Sequence, residues 1–240
     1  MVNKRGQVTI FIILAIVIVG AIIAYFSLNN NSKDIVNPAT NEIYSFVKDC
    51  IKKTGEDAIY QIAQNGGYYL PAKVSTANGI PYYYYSGENL LISKTEIENQ
   101  LALYINNNLE YCTGSFENFP QSSVDSGEVL SEVMIEEGQI KINANYPLII
   151  TKNEKTYSLK NFKDIIVRTR FDAIYKSLEK IIKDQLTRED VCLSCITNIA
   201  LENDLIINII GLEETTLFVI QDENSKINGV PIKWQFANRY

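Results

Sequence analysis

The sequence predicts an α+β fold: a single N-terminal transmembrane helix, then an extracytoplasmic domain of helices packed on antiparallel β-sheet. Three observations carry that expectation. Val8 to Phe26 is an uncharged run of 19 residues whose only polar side-chain groups are Thr9 and the Tyr25 hydroxyl. Three later stretches repeat apolar residues at helical spacing. Beyond residue 127, apolar and polar residues alternate between glycine turns.

A helix of the length of the apolar run spans about 28 Å, close to the ~30 Å of a bilayer core. A cleaved secretory signal has an apolar stretch of about 7–15 residues, which this run exceeds, although Ala21 to Ala24 imitates a cleavage site. Lys4 and Arg5 precede the run, and no basic residue follows it until Lys33. The positive-inside rule therefore puts the N-terminus in the cytoplasm and the remainder outside a cell membrane crossed once. Membrane lipid is the expected partner of residues 8-26.

Lys4-Arg5-Gly6-Gln7-Val8-Thr9-Ile10-Phe11, entering a long β-branched apolar helix, resembles the N-terminus of archaeal type IV pilin-like proteins. The resemblance covers about the first 28 residues. It implies peptidase processing between Gly6 and Gln7, and a helix that stays in the membrane or packs among other pilin-like subunits. Filament-forming members carry a Glu at the fifth mature position, where this chain has Phe11. The organisation that follows is a basic leader (1-6), a transmembrane or pilin-like helix (7-28), a linker (29-36), and an ectodomain with halves at 37-120 and 121-240.

Beyond the helix the charge is 20 basic against 28 acidic residues, a net of −8. Nucleic acid is not an expected partner, because a phosphate backbone requires clustered Lys and Arg. Histidine is absent. That excludes Ser-His-Asp and Cys-His nucleophile pairs as usually built, and zinc sites with His ligands. Carboxylate pairs, a Ser-Lys arrangement or no catalysis remain. Glu136-Glu137 and Glu213-Glu214 read as solvated turn charges, and no calcium loop is present. No catalytic residue, metal or cofactor is assigned.

After the run, Asn30-Asn31-Ser32 is a glycosylation sequon in a polar linker. Ile43, Phe46, Val47, Cys50 and Ile51 mark one helical face, with Thr54-Gly55 read as a break and Asn65-Gly66-Gly67 as the stop. Gly67 to Pro71 and Ile80 to Ser86 read as aromatic strands. Tyr68, Tyr69, Tyr82, Tyr83, Tyr84 and Tyr85 have two readings. They form an exposed platform for a glycan or surface partner, or they alternate between core and solvent. Ser93-x-x-Glu96 opens a helix with the stripe Ile97, Leu101, Tyr104, Ile105 and Cys112. Thr113 to Gly127 reads as a boundary.

Hairpins follow: Glu128 to Glu136, Gln139 to Thr151, Thr156 to Leu159, and Phe162 to Arg168. A helix from Arg170 carries Phe171, Ile174, Leu178, Ile181, Ile182 and Gln185. Thr187 to Asp190 reads as the cap of another, with Cys192 and Cys195 in its first turns. Strands at Leu205 to Ile210, Thr215 to Gln221 and the last residues, with Trp234 inward, close the chain.

Four cysteines outside a membrane favour disulfides, and three connectivities are possible. Cys50 and Cys112 approach the inner faces of two amphipathic helices, so the preferred pairing joins them and leaves Cys192 with Cys195. The alternatives for the second pair are thiol-disulfide chemistry, since a helix N-terminus favours the thiolate, and metal binding or free thiols. A thioredoxin-like site follows a strand, however, and a helix precedes this one.

Overall fold

A computed structural model describes residues 38–188 and 190–240. Gly6, Gln7, the apolar run 8–26, the sequon at Asn30 and the linker lie outside the described residues. Among the described residues, no helix is long and apolar enough to cross a membrane.

The stripe that begins at Ile43 forms helix α1 (Asn41–Gln64) and buries Val47, Cys50, Ile51, Ala58, Ile59 and Ile62. Contrary to expectation, α1 runs unbroken through Thr54-Gly55. A Cβ at Gly55 would lie 2.4 Å from Ile142 Cδ1, so glycine here admits a sheet side chain against the helix. That packing offsets the roughly 1 kcal/mol helix penalty of glycine. The helix stops where predicted, with Gly66 and Gly67 at φ +58° and +86°.

Helix α2 (Lys94–Thr113) starts at Ser93, whose Oγ accepts from the Glu96 N–H at 3.1 Å. It buries Ile97, Leu101, Ile105 and Leu109, leaving Cys112 half-buried at the edge of the stripe. Cys50 and Cys112 are disulfide-bonded with their Cα atoms 5.5 Å apart. The predicted face of helix α3 (Phe171–Gln185) is buried at all six positions. In helix α4 (Leu193–Asn203), by contrast, the cap is Cys192, whose Sγ accepts from Cys195 N–H at 3.2 Å. Thr187 is instead turned back onto the Asp184 carbonyl.

The first sheet contains β1 (Tyr82–Tyr85), β2 (Glu88–Asn89), β7 (Ile206–Gly211), β8 (Thr215–Ile227) and β9 (Val230–Arg239), in the order β2-β1-β9-β8-β7. β1 pairs with β9 in parallel. The sheet is therefore mixed, correcting the purely antiparallel expectation. The second sheet is built on β5 (Gln139–Lys152), paired along its length with β6 (Lys155–Arg168). Its other edge takes β4 (Leu130–Glu136) and then β3 (Ser123–Ser126). The gap between them falls at Pro147, which has no N–H to donate but accepts from Gly127 N–H at 2.8 Å.

Two expected strands, 156–159 and 162–168, are one strand in β6, bent where Asp164 takes a positive φ of 55°. Gly67 to Pro71 is not a strand: Gln100 Oε1 accepts from the N–H groups of Tyr69 and Leu70, at 3.0 and 3.1 Å. Residues 38–240 form one compact unit, and Thr113 to Gly127 is a connector within it, anchored by buried Phe116. Its aromatic centre is Phe171 edge-on to Trp234 (5.0 Å), with Phe236 stacked between Tyr83 and Phe218 (4.8 and 4.7 Å).

Candidate functional site

Three places gather the residues the sequence singles out. In the tyrosine run, Tyr82, Tyr83 and Tyr84 are all buried. Neither sequence reading describes this, because the strand is covered on both sides. Tyr83 lies in the core, and its hydroxyl donates to Gly66 O at 2.7 Å while accepting from Trp234 Nε1 at 2.9 Å. Burial pushes its phenol well above the usual range, against the opposing effect of the Trp234 hydrogen bond. Tyr84 packs on Tyr240 and Tyr82 on Tyr85, with the Tyr82 hydroxyl 3.0 Å from Thr215 Oγ1. Tyr85 is half-buried and accepts from Arg239 Nη1 at 3.3 Å. An exposed platform is therefore corrected for Tyr82 to Tyr84.

Tyr68 and Tyr69 are half-buried. Tyr69 sits edge-on to Tyr104 at 5.1 Å. Tyr68 lines a groove of about 490 Å³ with Leu70, Val74 and Tyr82 on its apolar side and Lys73 and Glu96 at its polar side. Leu70 is 53% exposed. Burial, and secondarily the Glu96 charge, raise the Tyr68 phenol above its ordinary value, so it acts as a neutral hydroxyl. This groove can take an apolar or aromatic group and hydrogen-bond its rim. Gln100, also in its lining, holds the Tyr69 and Leu70 backbone in place.

At the second place, Cys192 and Cys195 form a disulfide with Cα atoms 5.3 Å apart. The Asp184 carboxylate lies within 4.8 Å of both sulfurs and accepts from Arg188 Nε at 3.2 Å. The start of α4 favours a thiolate here and the Asp184 charge opposes it. Opened by reduction, the three side chains would offer donors to a soft divalent cation. As a disulfide the pair has no thiolate ligand to offer.

The third place has no sequence signal, lying just past the strand expected at Thr215 to Gln221. Asp222 is fully buried at a bulge in β8, 3.4 Å from Arg170 Nη1 and accepting from Asn224 N–H at 3.0 Å. Its second oxygen has no hydrogen-bond partner among the described residues. Burial raises the Asp222 carboxyl, and the Asn224 N–H and Arg170 only partly counter it. Ser225 Oγ completes the cluster, 2.9 Å from Thr169 Oγ1 and accepting from Arg170 N–H at 3.1 Å. Arg170 also donates to the Asn203 carbonyl, so the group ties α3 and α4 to β8.

No family model matches this chain, and neither does any curated protein or solved structure.

Proposed function

We propose that this chain is a membrane-anchored, non-enzymatic cell-surface protein related to archaeal type IV pilin-like subunits, with residues 38–240 outside the cell. The observation that carries the reading is Lys4-Arg5-Gly6-Gln7 directly before 19 uncharged residues. The two disulfides support the exterior placement, because such bonds persist in oxidising compartments. Phe11 at the position of the usual Glu separates processing from filament assembly. Mass spectrometry of the mature N-terminus tests the proposal. A chain beginning at Gln7 is the expected result, and an intact Met1 on the membrane-borne protein removes the pilin-like part.

The groove beside Tyr68 favours a second reading, a tethered domain that binds a glycan or partner protein. Its exposed Leu70 and half-buried Tyr68 offer the apolar and aromatic contact that a sugar face uses. A glycan-panel binding measurement is the check. Binding lost in Tyr68→Ala and Leu70→Ala at unchanged thermal stability supports it, and binding indifferent to both eliminates it.

A further inference from the structure

Among the described residues, β7 stands at the end of its sheet, with β8 on one side and no strand on the other. Leu212 and Thr215 exchange backbone hydrogen bonds at 2.8 and 3.3 Å. Counting back by twos through the antiparallel ladder, Ile210, Asn208 and Ile206 direct their backbone groups to β8. Those of Ile207, Ile209 and Gly211 point outward. Ile206, Ile210 and Leu212 are 47%, 49% and 56% exposed. No charge and no proline occurs from Leu205 to Leu212.

Free edges of this kind are normally blunted by Lys, Pro or a bulge. One edge of the second sheet shows such protection: β6 carries Lys155, Lys160, Lys163 and Arg168 and bends at Asp164. β7 carries none. Its sequence Ile206-Ile207-Asn208-Ile209-Ile210 also reads identically in both directions.

From this symmetry we propose that two copies of the chain join their five-stranded sheets through β7, antiparallel, about a two-fold axis at Asn208. In that register the outward backbone groups of Ile207 meet those of the partner's Ile209, and the reverse pair repeats the bonds. Asn208 faces the partner's Asn208 at a non-hydrogen-bonded position, where Cα atoms approach to about 4.5 Å and side chains lie close. Ile206 lies opposite the partner's Ile210. Their face continues onto Val219 and Leu217 of β8, so the apolar surface of each sheet is extended by the other. A second copy supplies, by identity, an Ile opposite every Ile of this segment, the β-branched cross-strand pairs that stabilise a sheet. The flanking charges do not drive the pairing, since Glu202 and Asp204 precede β7 and Glu213 and Glu214 follow it against Lys180 and Arg239; the apolar contact does.

The test uses the full-length chain in detergent micelles. All four native cysteines are in disulfides, so an introduced thiol reports alone. Asn208→Cys should oxidise to a covalent dimer roughly tenfold faster than Lys160→Cys on the guarded edge, reflecting the higher effective concentration of a paired site. Adding Ile206→Lys and Ile210→Lys should remove that advantage while circular dichroism and the thermal midpoint stay unchanged. Equal rates for Asn208→Cys and Lys160→Cys overturn the proposal, and so does an advantage that survives the two lysines in a folded protein. The comparison of the two single-cysteine variants decides alone if the lysine variant does not fold.

Discussion

The indole N–H of Trp234 donates to the Tyr83 hydroxyl at 2.9 Å, with both side chains fully buried. Because the same hydroxyl donates to Gly66 O, one atom connects the last strand, the tyrosine strand and the end of α1. Tyr83→Phe keeps the ring stack on Phe236 but strands a buried donor and a buried acceptor. Urea denaturation should show a loss of about 1–3 kcal/mol, and a loss under half a kcal/mol would mean that water replaces the hydroxyl.

Gly55 and Ile142 should be energetically coupled. Gly55→Ala gains helix propensity but places a methyl against Ile142 Cδ1, whose deletion in Ile142→Val costs about 0.5–1.5 kcal/mol by itself. The double variant should be more stable than the sum of the singles by at least about 0.5 kcal/mol in a double-mutant cycle. Strict additivity would show that the helix and β5 move apart freely.

Asp222 gives the fold a pH dependence of predictable sign. Its folded-state pKa is raised above the ordinary 3.8, chiefly by burial. The native state thus holds the proton more tightly than the unfolded chain, a contribution present below pH 3.8 and lost as pH rises through the raised value. Asp222→Asn should flatten denaturation midpoints across that window. A variant that loses more stability at pH 7 than at pH 4 would show instead that the ionised pair with Arg170 dominates.

The two disulfides should differ in weight. Cys50–Cys112 closes a separation of 62 residues and Cys192–Cys195 one of 3. Loop-closure entropy assigns about 4 kcal/mol to the first and about 2 kcal/mol to the second. Paired Cys→Ala replacements compared by denaturant midpoint test the order, which reversal would refute.

Where local periodicity decides the outcome, the sequence is readable. Cys50 and Cys112 meet because each continues an apolar stripe, and β4, β5 and β6 follow from alternation around Gly138 and Asn153-Glu154. What local pattern cannot carry is the neighbour supplied from far away. Tyr82 to Tyr84 are buried because β1 lies beside the chain's last strand, about 150 positions on. The helix persists at Gly55 because Ile142 fills the space its missing Cβ leaves. Thr187 and Asp190 lose the capping role to a sulfur of Cys192, a choice that the disulfide makes. The groove at Tyr68 depends on Gln100 reaching across 30 residues to hold a segment that has strand composition.

β9 is the middle strand of its sheet, flanked by β1 and β8, yet it follows every other described element along the chain. Until Val230 to Arg239 emerge, β1 has only the two-residue β2 beside it, and Tyr83 lacks both Phe236 and Trp234. The domain therefore cannot settle vectorially from its N-terminus; residues 230–239 must be made before its hydrophobic centre closes. Any truncation that removes β9 yields an open sheet rather than a smaller domain.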